Sequence, residues 1–294
     1  MDRAAEAILR EEIFQHLKEL VGDTVVVTRQ QLWDFNLKGE TYHLIDRNRG
    51  IRNPKDMLAT LSILSDPKSK YPDEEVGGSL FAYAYREGSV DGDNKKLRRA
   101  LELELPLILL RKIADGVFVP VLPVYVVADD KPNHRFLIAL DESLRSVADP
   151  INLQPLEREY AQRVTKQRLH QPEFRGRVLR AYECRCAVCH LRHAKLLDAA
   201  HIIADGKPNG TPTVNNGLSL CKIHHAAYDE NFLGITPGYE IRINQSLLDE
   251  VDGPMLRYGL QQMHGRPLST PSRARDKPSA ERLAERFAEF QAFS

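Results

Sequence analysis

Between Cys186 and Asp229 the chain reads C-A-V-C, then L-D-A-A-H-I-I, then N-N-G-L-S-L-C-K-I-H-H-A-A-Y-D. Two close pairs, Cys186/Cys189 and Cys221/His224, bracket an isolated histidine, His201, and an asparagine, Asn216. A gap of two residues lets both side chains of one tight turn reach a single ion, and three thiolates with one imidazole complete a tetrahedral zinc shell. Such a shell is closed and therefore structural. Any chemistry in the stretch falls to the residues it leaves over, His201, Asn216, His225 and Asp229.

The four cysteines all lie between Cys184 and Cys221, and three are absorbed by the zinc shell, leaving Cys184. That usage suits a reducing cytoplasm better than a disulfide framework. The N-terminal residues M-D-R-A-A-E-A-I-L-R-E-E lack a signal-like apolar stretch, and no run is of membrane length, so a soluble cytoplasmic protein with no membrane partner is expected. A length of 294 residues suits about two domains. Basic and acidic residues balance at 41 each, so bulk charge does not point to nucleic acid and local charge must decide.

In chain order, Ala5, Ile8, Leu9, Ile13, Leu17 and Leu20 recur at helical spacing among charges over residues 4–21, ending at Gly22 and Asp23. T-V-V-V-T reads as a strand, followed by a polar stretch with the only tryptophan, Trp33, and then T-Y-H-L-I-D as a second strand. The loop Ser65 to Gly78 delivers S-L-F-A-Y-A-Y-R, where Phe81, Tyr83 and Tyr85 alternate with small residues and share a face. A short helix follows, with Asp93 as its N-cap. P-L-I-L-L-R-K, G-V-F-V-P-V-L-P-V-Y-V-V-A-D and R-F-L-I-A-L are closely spaced strands, the pattern of a compact β-barrel over roughly 150 residues.

The residues A-A-H-I around His201, N-G-L-S-L-C around Asn216, and His225 directly after His224 resemble the signature of the HNH endonucleases, whose core is a β-hairpin and a helix around one catalytic metal ion. The resemblance implies that His201 is the general base and that His225 is a ligand of a catalytic divalent ion, Mg2+, Mn2+ or another. It gives Asn216 the task of bracing the hairpin loop and orienting His201 through a backbone carbonyl. Asp229, four residues after His225, shares its helical face and is a further ligand candidate. Many relatives carry Asp or His directly before the base, where this chain has Ala200. Asp198, on the same extended strand, is read as sharing the face of His201 and substituting for the metal ligand that is missing at Ala200.

The N-terminal half, with G-I-R-N-P-K-D-M-L-A-T-L-S-I, F-A-Y-A-Y and P-V-L-P-V-Y-V ahead of an HNH unit, resembles the SRA-like, PUA-related domains of modification-dependent restriction endonucleases. Such domains extrude a modified cytosine from the duplex, at a cost of a few kcal/mol that stacking and base-edge hydrogen bonds repay. Tyr83, Tyr85 and Trp33 are the stacking candidates, against the competing reading of an ordinary barrel core. Asp93 is a candidate for the base edge, against its role as a cap.

Between the two regions, Pro155 to Lys195 holds ten Arg or Lys against four Glu, so the segment can lie along phosphates. Arg175, Arg177 and Arg180 are its best candidates, against a solvated helix.

The expected architecture is α+β: an SRA/PUA-like β-barrel domain over 1–150, a basic helical linker over 151–181, and a zinc-stabilised ββα-metal (HNH) domain with a C-terminal helix over 182–294. The expected function is cleavage of double-stranded DNA carrying 5-methylcytosine or 5-hydroxymethylcytosine, with a homodimer as the means of cutting both strands. Two alternatives stay open. One is an HNH nuclease whose first domain recognises something else; the other is a non-catalytic zinc-containing DNA-binding protein.

Overall fold

The computed structural model describes residues 1–67, 73–76, 80–86, 92, 94–251 and 253–293, without the side chains of 74–76. Asp93 lies outside them. The chain divides into two compact units, 1–173 and 174–294. The boundary falls inside helical sequence, and no separate linker spans 151–181. Helix Pro155–Thr165 and the π-helical turn Lys166–His170 bury Ala161, Val164 and Leu169 in the first unit's core. In the helix that follows, Gln171–Ala181, Phe174, Val178 and Leu179 belong to the second unit's core. A basic composition suggested a segment lying along phosphates or a solvated helix; Ala161, Val164, Leu169, Phe174, Val178 and Leu179 join cores instead, while Ile151 and Leu156 stay exposed.

In the first unit, α1 (Arg3–Val21) is capped by Asp2, whose side chain accepts from Ala5 N at 2.8 Å. Its buried face is Glu6, Arg10, Ile13, Phe14 and Leu17, while Ile8 and Leu20, expected on the apolar side, are exposed. The face turns because Glu6 and Arg10 are a buried ion pair, 2.6 Å apart, with their remaining capacity used up. Arg10 donates to the carbonyls of Ala59, Thr60 and Pro106, and Glu6 accepts from the backbone of Leu58 and Ala59. A buried charge pair is tolerated only with that degree of satisfaction.

Among the described residues, eight strands form one open sheet. After β1 (Val27–Thr28) and the small hairpin β2 (Phe35–Leu37) and β3 (Glu40–Tyr42) come β4 (Ile51–Arg52), β5 (Ser62–Ser65), β6 (Glu74–Val76) and β7 (Leu80–Ala84). Helix Asn94–Leu103 precedes β8 (Leu107–Ala114), β9 (Val117–Asp130) and β10 (Arg135–Ala139). The order is β4-β5-β8-β9-β10-β7-β6, with β1 also on β9. T-V-V-V-T and T-Y-H-L-I-D therefore supply only short strands. In β8 Leu107 and Leu109 enter the core inside the curved sheet, and Ile108 and Leu110 enter a second core against α1. A continuous apolar run is what a strand covered on both faces requires. Strand β9 pairs with β8 through its first part and with β10 through its last, and the shift between the pairs Leu107/Val124 and Leu109/Val121 leaves one extra residue in β9, a bulge of the kind that bends a strand.

Among the described residues the expected closed barrel is a half-barrel: β4 and β6 end the path without pairing to each other. Side chains tie the β7 region to the β4–β5 end instead. Tyr83 donates to the carbonyl of Gly50 at 2.8 Å, and Arg86 donates to Leu64 O at 3.1 Å, to Tyr83 Oη at 3.0 Å and to Asp73. Tyr83 is fully buried with the Arg86 guanidinium 4.0 Å above its ring, so no base can stack on it, and burial pushes its phenol well above the usual range. The alternation of Phe81 and Tyr83 is core chemistry. A Cβ on Gly50 would stand 2.7 Å from Arg86 Nε and 3.1 Å from Tyr83 Oη. Gly50→Ala is therefore expected to lower the stability of the first unit by about 1–3 kcal/mol, the cost of overpacking a closed site. Denaturant unfolding measures it, and an unchanged midpoint would show that the tie is dispensable.

Candidate metal centre and nuclease site

The second unit is built on the antiparallel hairpin of β11 (Leu197–His201) and β12 (Gly217–Cys221), paired from Leu197/Cys221 to His201/Gly217. Helix Lys222–Asp229 starts at the residue after β12, so the element order is ββα. Cys186, Cys189, Cys221 and His224 converge, with ligand atoms all within 4.8 Å of one another. Cys221 Sγ lies 3.1 Å and Cys186 Sγ 3.4 Å from His224 Nδ1, and Cys189 Sγ lies 3.9 Å from Cys221 Sγ. Zinc bond lengths in a tetrahedron place ligand atoms about 3.5–3.8 Å apart, so the group fits that ion.

The surroundings select the same chemistry. His224 Nε2 is 2.7 Å from the carbonyl of Gly259, which leaves Nδ1 to face the thiols. Burial pushes the His224 ring down, but hydrogen bonds to Cys186 and Cys221 push it up further, to about 10. Cys184, the cysteine left over, packs beside the core.

His224 is buried and turned to this cluster, whereas its neighbour His225 is turned to the other side of the helix and is half-buried. There Asp198 Oδ2 lies 3.2 Å from His225 Nδ1, and Asp229 Oδ2 lies 3.3 Å from His225 Nε2. Asp198 does not share the face of His201. Three residues separate them, and in a strand of period two an odd separation puts side chains on opposite faces. Asp198 shares the face of Ala200 instead, which is the position the missing ligand would have used, and so it reaches His225. Its other oxygen is 2.6 Å from Lys222 Nζ and 3.5 Å from Arg175 Nη1. Burial pushes the Asp198 carboxyl up, yet hydrogen bonds from Lys222 and His225 hold it below the usual carboxylate range.

His201 closes β11 with its ring stacked on Phe174, centroids 4.0 Å apart and planes within 14°. Phe174 and Val178 can come this close because residue 217 is glycine: a Cβ there would stand 2.9 Å from Phe174 and 2.5 Å from Val178. Asn216 is fully buried, with Oδ1 accepting from Ile203 N at 2.9 Å and Nδ2 donating to Ile203 O at 3.0 Å and Thr211 O at 3.1 Å. Its backbone carbonyl accepts from Ile202 N at 2.9 Å. Asn216 thus fixes the two residues after His201, rather than the carbonyl of His201 itself. Helix Ala280–Ala292 braces the same loop through Arg282, which donates to Asn215 at 2.8 Å and Thr211 at 3.0 Å.

Residues 186–236 match the family model described as HNH endonuclease. This segment is an HNH endonuclease domain. With it the chain carries the machinery of a DNA endonuclease. The whole chain also shows a distant likeness to the solved structure of "Modification dependent TagI restriction endonuclease", at 15% identity and a TM-score of 0.28, over 89% of this chain and 90% of that one. No curated protein matches the chain.

Around the HNH domain the basic candidates separate. Arg175 donates to the carbonyls of Leu197 at 2.7 Å and Ala194 at 3.0 Å, so it anchors the start of β11 instead of meeting phosphate. Arg177 is half-buried and Arg180 exposed on the same helix. In the first unit Tyr85, half-buried, donates to Asp129 and packs 4.8 Å from Phe136, and Trp33 is stacked on His43 at 3.8 Å with the Arg47 guanidinium 4.4 Å from its ring. Lys222 and Phe174 were not read from sequence as parts of the site, and Asp198 was read as part of it but on the wrong face of β11. For Lys222 the signal was present, three residues before His225 on a helix. No helix among the described residues is long and apolar enough to cross a membrane.

Proposed function

We propose that the HNH domain hydrolyses DNA with His201 as general base and with Asp198 and His225 as holders of one divalent ion, Asp229 orienting the His225 ring from its other nitrogen, and that the N-terminal unit restricts cutting to duplexes carrying modified cytosine. The observation that carries the nuclease half is the match of residues 186–236 to the HNH endonuclease family on a ββα unit that sets Asp198 Oδ2 3.2 Å from His225 Nδ1. A divalent ion, Mg2+ or Mn2+, supplies Lewis-acid stabilisation of the phosphate's developing charge and of the departing oxygen. The neutral His201 imidazole takes the proton of the attacking water. Phe174 fixes the plane of that ring, and Asn216 fixes the chain that carries it. Structural zinc at Cys186, Cys189, Cys221 and His224 sits in a closed shell and has no part in the proton transfer.

The modification half rests on the SRA-like order of elements and on a half-open sheet unit with its own cores, where half-buried Tyr85 beside Arg98 is the remaining stacking candidate, the two faces of the Trp33 ring being taken by His43 and Arg47. A methyl group filling an apolar pocket contributes about 1 kcal/mol, so the expected preference is several-fold in affinity. Digestion of methylated and unmethylated copies of one plasmid with added Mg2+ or Mn2+ is the test, paired with titration of both duplexes by the full-length His201→Ala protein. Cutting of the methylated copy, with tighter binding to it at every salt concentration, is expected. Equal cutting and binding would assign the N-terminal unit another target, and no cutting of either with any divalent ion would reduce the chain to a zinc-containing DNA-binding protein.

A further inference from the structure

We infer that Lys222 is a resident counter-cation of the ion site, holding Asp198 until a divalent ion takes that carboxylate and then turning to the substrate phosphate. The inference rests on the proposed ion site and adds to it a residue with two successive partners. Lys222 Nζ is 2.6 Å from Asp198 Oδ1, while the other oxygen of the same carboxylate is the one facing His225. Lys222 opens the helix that carries His225 and Asp229, so its position is fixed relative to both. Its side chain is 57% exposed, so it can leave Asp198 without unpacking anything. Arg175, the second cation near Asp198, lacks that freedom because two backbone carbonyls hold its guanidinium.

Charge decides the exchange. A divalent ion on Asp198 and an ammonium on the same carboxylate would stand well within the roughly 8–10 Å over which salt leaves repulsion unscreened. A bound phosphodiester beside the ion offers Lys222 a replacement anion, and its charge grows as the water attacks. An ammonium on a long flexible stem can follow that growth as a point charge. Lys222 therefore opposes ion binding before DNA arrives and assists the reaction afterwards.

The test uses the full-length protein with its structural zinc retained, and Mn2+ as the probe. Calorimetric titration without DNA is expected to show Lys222→Met binding Mn2+ about three- to fivefold more tightly than the parent, the scale of one exposed ion pair. Plasmid cleavage by the same variant at saturating Mn2+ is expected to fall at least about tenfold, with Lys222→Arg partly restoring it. Asp198→Asn serves as the reference. If Asp198→Asn weakens Mn2+ binding and Lys222→Met leaves it unchanged, the counter-cation role is overturned and the ion site stands. If Asp198→Asn leaves Mn2+ binding intact, the ion site itself is wrong. Tighter Mn2+ binding with an undiminished saturated cleavage rate would overturn the transfer to phosphate.

Discussion

A Cys221→Ser protein is expected to lose the cooperative unfolding transition of residues 174–294 together with its bound zinc. Cys221 ends β12, its backbone N–H donates to Cys186 Sγ at 3.3 Å, and the next residue begins the helix that carries His224 and His225. One atom change at Cys221 therefore reaches the knuckle, the hairpin and the helix together. Structural zinc sites contribute about 10–16 kcal/mol of apparent binding free energy, which counts as folding free energy when the unfolded chain has no site. A whole domain is stable by only about 5–15 kcal/mol, so losing even part of that contribution is enough to unfold the unit. The first unit, with two cores of its own, is expected to keep its transition. Thermal unfolding followed by circular dichroism, with zinc content measured alongside, separates the two. A zinc-free Cys221→Ser protein with both transitions intact would show that the apolar core around Leu197, Leu218 and Leu220 folds this unit unaided.

How far the sequence could be read depended on whether a residue's partners lie close along the chain. The Cys186/Cys189 and Cys221/His224 pairs were legible because ligand spacing is a local rule, and the hairpin between them came with the family signature. Asp198 was misplaced by counting: two residues before Ala200 is three before His201, and that odd step moves it to the face where His225 waits. The face of α1 was misread for a different reason. Hydrophobic periodicity treats Glu6 and Arg10 as solvent-facing, and only the carbonyls of residues 59, 60 and 106, far along the chain, make their burial tolerable. Tyr83 presented the same difficulty, since an alternating aromatic strand looks alike whether its far side meets a ligand or Arg86 and Gly50. The half-barrel could not be distinguished from a barrel, because strand count does not reveal whether the end strands meet. Arg175 carried a charge that suited phosphate, but its use is to hold the carbonyls ahead of β11.

His201→Ala is expected to cut DNA at least about 100-fold more slowly while folding, holding zinc and binding DNA as the parent does. A positioned general base contributes about 10²–10⁴-fold, and the lower end applies where part of the work of activating water can be taken up by an ion and by solvent. The variant keeps its fold because the ring is half-buried at the end of β11 and belongs to neither the zinc shell nor the hydrogen bonds that Asn216 makes to Ile203 and Thr211. What it loses is the stack on Phe174, a contact that fixes the plane of the imidazole. A stacked pair contributes about 0.5–1.5 kcal/mol beyond area, too little to unfold a unit with its own apolar core. Single-turnover cleavage at saturating protein and Mn2+ isolates the chemical step from binding, and an electrophoretic titration on the same duplex reports affinity. Unchanged affinity with a slow step places His201 at the reacting water. A fall in affinity equal to the fall in rate would make it a DNA-contact residue, and near-normal single-turnover cutting would leave activation of the water to some group other than His201.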